Sequence, residues 1–125
     1  MEAKNLIIFM SDGHDPRYLG STGHSLMHTP ALDRLAERGT RFSNAYTPCP
    51  ICVPARASFA TGRHVHETGC WDNAHAYDGK IPGWALWVQR AGYPIEAIGK
   101  MHFRRAEDPL FSVAKGCLVA ALSDV

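Results

Sequence analysis

A chain of 125 residues that is 46% hydrophobic and 20% charged has the make-up of one soluble globular unit and excludes a disordered or fibrous polypeptide. Its formal net charge of +1 comes from evenly spread basic residues, with no stripe for a nucleic-acid backbone and no polybasic anchor. Neither nucleic acid nor a membrane is expected as a partner.

Residues 6–10, Leu-Ile-Ile-Phe-Met, are an unbroken β-prone run. The run is too short for a signal-peptide core or a bilayer span, so a cytoplasmic location is expected. It reads as a strand covered on both faces, ending at Ser11-Asp12-Gly13. From Thr29 the pattern turns helical, with Thr29 as N-cap, Pro30 at the first position, Leu32, Leu35 and Ala36 on one face, and Gly39 as the stop. Residues 40–46 predict a second strand. Pro54 suits the first position of a further helix, which Gly62 closes. Residues 64–80, rich in His, Gly, Asp and Asn, predict a loop. Residues 82–91 predict a helix with Trp84, Trp87, Val88 and Ala91 on one face, and residues 95–98 a strand ending at Gly99-Lys100. Strands alternating with helices imply an α/β sheet with right-handed crossovers.

Ligands of such sheets bind beyond the carboxyl ends of the strands, where Asp12 and Lys100 fall. Cys52-Val53-Pro54-Ala55-Arg56 adds a thiol just before a helix, at the positive end of its macrodipole. Oxyanions bind in such places. Arg56, one turn in, could clamp side chain 52 or a bound oxyanion. Cys52 is also the second thiol of Cys49-Pro50-Ile51-Cys52, a pattern shared with zinc and thiol–disulfide sites. A zinc knuckle needs a second such pair, and Cys70 and Cys117 stand alone; the irregular spacing of the four cysteines is no disulfide framework. Asp12 could serve only as a turn aspartate, Asp72-Asn73 as an Asx turn, and Lys100 and His102 as a surface lysine and a half-buried histidine. The histidines at 14, 24, 28, 64, 66 and 75 lack the helical His-x-x-x-His spacing of a metal site.

The order Cys-x-Pro-x-Arg, followed after four residues by Thr61-Gly62, resembles the signature of the type I sulfatases of the alkaline-phosphatase-like superfamily. Residues 5–12 resemble the opening strand of that family, residues 29–46 its next helix and strand, and Gly99-Lys100-Met101-His102-Phe103 a further element. Trp71-Asp72-Asn73-Ala74 is similar to the choline-sulfatase and phosphonate monoester hydrolase branches.

The resemblance implies an incomplete alkaline-phosphatase-like α/β sheet flanked by helices. Residues 1–110 would form the N-terminal part of a sulfatase catalytic domain, and 111–125 a divergent tail from a truncated or frame-shifted reading. It implies hydrolysis of a small-molecule sulfate ester by formylglycine, made from Cys52 by a maturase. The hydrated aldehyde would attack sulfur while held on a divalent cation, calcium or alternatively manganese or magnesium. Asp12 and Cys52 would be metal ligands, although many relatives carry a second carboxylate where this chain has Gly13. Cys52, Arg56, Lys100 and His102 would be catalytic. Lys100 would hold sulfate oxygens, His102 would hydrogen-bond the formylglycine hydroxyl, and Asn73 would reach the substrate's sulfuryl or phosphoryl oxygens. The alternatives are a phosphonate or phosphate ester hydrolase on the same scaffold, and a non-catalytic fragment that binds anions or a partner.

Overall fold

The structure, a computed structural model, describes residues 5–103 and the backbone of 113–115. The chain divides into two compact units, Met1–Ala45 and Tyr46–Val125.

In the first unit, two single-turn 3-10 helices, Pro16–Tyr18 and Gly20–Thr22, precede α1, Pro30–Arg38. The helix occupies the expected residues, but Thr29 does not cap it through its side chain. Its hydroxyl donates instead to Asp33 Oδ1 at 2.9 Å and accepts the Gly20 N–H at 2.8 Å. Asp33 Oδ1 also accepts the Ser21 N–H at 2.8 Å, so one carboxylate ties the second 3-10 turn to the first turn of α1. Arg34 and Arg38 are exposed as expected, yet Leu32 and Leu35 are exposed too.

Residues 6–10 form no strand, and Phe9 is 92% exposed. Residues 40–46 likewise form none. Both expectations are corrected for one reason. β-propensity describes how a side chain suits a packed, pleated surface, and a strand also needs a neighbour for its backbone ladder, which neither run has among the described residues.

The second unit is built around α2, Cys52–Thr61. Val53, Ala57 and Ala60 recur at helical spacing and enter a core shared with Cys70, Tyr77, Ala85 and Phe103. The helix starts two residues earlier than Pro54 suggests. Proline remains acceptable there because none of the first four helical N–H groups has an intrahelical acceptor. Gly62, at φ 68°, ends the helix with its N–H on Ser58 O at 2.8 Å.

The region expected to be loop contains α3, Val65–Thr68. Glu67 accepts the His64 N–H at 2.9 Å and pairs with Arg63 at 3.1 Å, which together secure this short helix. Beyond it, α4 spans Trp84–Arg90. Its buried residue is Ala85, whereas Trp87 is exposed with the Arg90 guanidinium 5.0 Å from its ring centre. The expected inner face is thus corrected at Trp87, while Trp84 and Val88 are half-buried. Trp84 does pack against the core and meets Phe59 of α2 edge to face at 5.9 Å, so the inner face keeps one of the two expected indoles.

The sheet consists of β1, Glu96–Ile98, paired in parallel with β2, Val113–Lys115, with Ala97 opposite Ala114. Phe103 makes an isolated parallel bridge with Tyr77, and their rings meet edge to face at 5.2 Å. The Tyr77 hydroxyl donates to Ile81 O. Apart from the backbone of β2, the tail expected to diverge from residue 111 lies outside the described residues.

A Cβ added at Gly20 would collide with the Asp33 carboxylate, which two hydrogen bonds hold in place. Gly20→Ala should therefore destabilise the first unit by roughly 1–3 kcal/mol, the usual cost of overpacking. Faster hydrogen exchange at the Ser21 amide would report it.

Candidate active site

Cys52 is the first residue of α2, and Ile51 before it is extended, with no side chain able to cap the helix. The acceptor comes from twenty residues later. Asn73 Oδ1 accepts the Val53 N–H at 3.0 Å, taking one of the helix's unpaired donors. A neighbouring Asx turn sets Asn73 in place: Asp72 Oδ1 accepts the Ala74 N–H at 2.8 Å and contacts His75 Nδ1 at 2.7 Å. The His75 contact, followed by the Ala74 N–H, holds the Asp72 carboxyl below its ordinary range. The turn and the reach of Asn73 are thus compatible. With the oxygen of its exposed carboxamide engaged, the nitrogen is the end that can donate to a ligand.

Lys100 follows β1, and its ammonium donates to Cys52 Sγ at 3.6 Å across 48 positions of sequence. Arg56, one turn after Cys52 on the same face of α2, donates through Nη1 to the Lys100 carbonyl. Cys52, Arg56 and Lys100 are all half-buried. The amino end of α2 therefore carries a sulfur atom, an ammonium and a carboxamide within one neighbourhood of the second unit.

His102 departs from the geometry expected of it. An extended segment would put it on the same side as Lys100, but its φ of 59° is left-handed and Gly99 has φ 105°. The chain turns at both ends of Gly99-Lys100-Met101-His102, so strand alternation does not govern where His102 lies. Held left-handed positions in non-glycine residues recur at functional sites.

Asp12 belongs to the first unit, exposed and just before Gly13 with its φ of 65°. An open depression of about 370 Å³ in that unit, lined by Pro16, Arg17, Thr22, Gly23, His24 and Ser43, contains none of the expected site residues. Among the described residues no three His, Cys, Asp or Glu side chains come together as a cation cage. Asp12 offers the hard oxygen that calcium or magnesium prefers, but such ions take six or more ligands. The described residues alone do not fit a complete metal centre.

Two anchors escaped the sequence reading, Tyr77 and Phe103, which are 2% and 5% exposed and hold the chain immediately after His102. The alternation of bulky residues could have hinted at Phe103. Nothing local marked Tyr77.

The model of the family described as Sulfatase matches residues 4–108. The chain belongs to the sulfatase family. Among sulfatases described elsewhere, the choline-sulfatase of Rhizobium meliloti is 41% identical over 99 residues, which cover 79% of this chain and 19% of that protein. The solved structure of BT4656, in complex with its substrate D-glucosamine-2-N,6-O-disulfate, superposes with a TM-score of 0.79 at 35% identity, covering 84% of this chain and 21% of that one. The phosphonate monoester hydrolase of Agrobacterium radiobacter shares the fold at a TM-score of 0.65 and 23% identity, covering 80% of this chain and 22% of that one. The chain thus spans about a fifth of the length of the relatives it matches. Its architecture is the corresponding part of the alkaline-phosphatase-like sulfatase fold.

Asn73→Ala should cost the sulfatase chain about 0.5–2 kcal/mol, the range for losing a helix N-cap. Asn73→Asp should recover most of that loss, because a carboxylate accepts the same N–H and favours the positive helix end. Urea unfolding followed by tryptophan fluorescence would measure both.

Proposed function

We propose that this chain supplies the nucleophile-bearing segment of a hydrolase of small-molecule sulfate esters, with Cys52 converted to formylglycine by a dedicated maturase. The single observation that carries the reading is the Lys100 ammonium on Cys52 Sγ at the amino end of α2. A thiol, an ammonium and a helix amino terminus together suit an anionic group at position 52 and an oxyanion beside it.

Formylglycine supplies a nucleophilic oxygen that a hydroxyl side chain lacks at neutral pH. Around it, Lys100 places positive charge where sulfate oxygens bind, and its compact ammonium suits that task. Asn73 donates from its carboxamide nitrogen to the same oxygens. His102 can move a proton near neutral pH. Asp12 contributes one oxygen ligand for a divalent cation, for which calcium is the first choice and manganese or magnesium the alternatives, and the remaining ligands come from outside these residues. A cytoplasmic location is proposed with this reading. The likeness to choline-sulfatase, 41% identical, supports a sulfate ester as substrate.

A second reading, hydrolysis of a phosphonate or phosphate ester, draws on the fold shared with the phosphonate monoester hydrolase. Tetrahedral phosphoryl and sulfuryl groups present similar oxygens to the same donors.

Coexpression with a formylglycine-generating maturase should replace the thiol of the Cys52 peptide by an aldehyde, seen as a mass loss that Cys52→Ala abolishes. An unmodified peptide under conditions that convert a known sulfatase would sink the proposal. With too few cation ligands among the described residues, the chain on its own should give no multiple turnover of an aryl sulfate in calcium, and sustained release of the phenol would overturn that expectation.

A further inference from the structure

We propose that Arg56 is a positioning residue whose guanidinium holds the Lys100 backbone in place and thereby keeps the Lys100 ammonium against side chain 52. This deepens the functional reading above and rests on Cys52, Arg56 and Lys100 forming one site.

Three features carry the inference. The first is the poverty of the 99–102 segment in backbone order. It belongs to no helix or strand, and it has positive φ on both sides of Lys100, at Gly99 (φ 105°) and His102 (φ 59°). Its ends are secured, by β1 up to Ile98 and by the Phe103 bridge to Tyr77. Its middle is held by the bond from Arg56 Nη1 to the Lys100 carbonyl.

The second feature is the relative strength of the two contacts at Lys100. A guanidinium donating to a carbonyl is a charge-assisted bond from a planar fork. The ammonium's bond to sulfur, at 3.6 Å, goes to a weak acceptor from the end of a four-carbon stem with many rotamers. The weaker contact cannot hold the segment, whereas the stronger one can. The third feature is the origin of Arg56. It rises from the same face of α2 as Cys52, one turn on, so the helix that presents the sulfur also fixes the carbonyl from which the ammonium extends.

The test uses the thiol itself and no turnover, so its failure is distinguishable from failure of the hydrolase reading. Iodoacetamide reacts with thiolates, and peptide mass spectrometry gives the rate at Cys52 relative to half-buried Cys49. Cys70, whose thiol burial pushes up, should react slowest of the three and report unfolding if it speeds up. Lys100→Ala should slow Cys52 roughly two- to fivefold, the scale of one partly exposed charge contact. Arg56→Ala should slow it by the same factor, and the double variant should be no slower than Lys100→Ala, because both changes remove one interaction. Dilute guanidinium should restore the rate in Arg56→Ala and leave Lys100→Ala slow. If Arg56→Ala unfolds, Arg56→Gln keeps an N–H donor but loses the charge and the fork, and its rate should fall between those of the parent chain and Lys100→Ala. An unchanged rate in Arg56→Ala, multiplying effects in the double variant, or an Arg56→Gln rate as slow as that of Lys100→Ala would overturn the proposal.

Discussion

The hydrogen bond from Val53 N–H to Asn73 Oδ1, at 3.0 Å, is the constraint on which the amino end of α2 depends. A helix that begins at Cys52 cannot cap itself with the preceding residue when that residue is isoleucine. Borrowing the acceptor from a turn twenty residues on solves the capping problem and brings a carboxamide to the site.

The core beneath that helix end explains how the remaining groups arrive. Ala57 and Ala60 of α2 and Ala85 of α4 are buried in one core with Tyr77 and Phe103. Because Phe103 is held there, the chain leaving β1 must turn within four residues, and the turn carries Lys100 back to α2. Packing and charge are arranged by the same short stretch. The first unit has a different organisation, in which one carboxylate, Asp33, replaces a hydrophobic core as the organising feature of the turn and helix around it.

Membership of the sulfatase family and partial coverage have to be taken together. A chain spanning about a fifth of its relatives carries the signature cysteine and its immediate neighbours, and among the described residues no hard-cation cage is complete. The apolar residues 6–10 are exposed, because hydrophobicity becomes burial only where neighbours flank a segment.

The linear order of residues by itself pointed to the family, singled out position 52 and marked three of the helices. Cys-x-Pro-x-Arg, the proline at 30 and the glycines at 39 and 62 are local signals, each acting through backbone dihedrals or a single helical turn. Only the tertiary structure decided that Asn73 caps α2, that Lys100 meets Cys52, that Arg56 grips a backbone carbonyl, and that His102 leaves the extended path. Those contacts join residues 20 to 48 positions apart, or depend on a left-handed φ that histidine adopts only when its surroundings impose it. The β-prone runs at 6–10 and 40–46 mark the same boundary from the other side, since local propensity nominates a strand but a neighbouring backbone makes one.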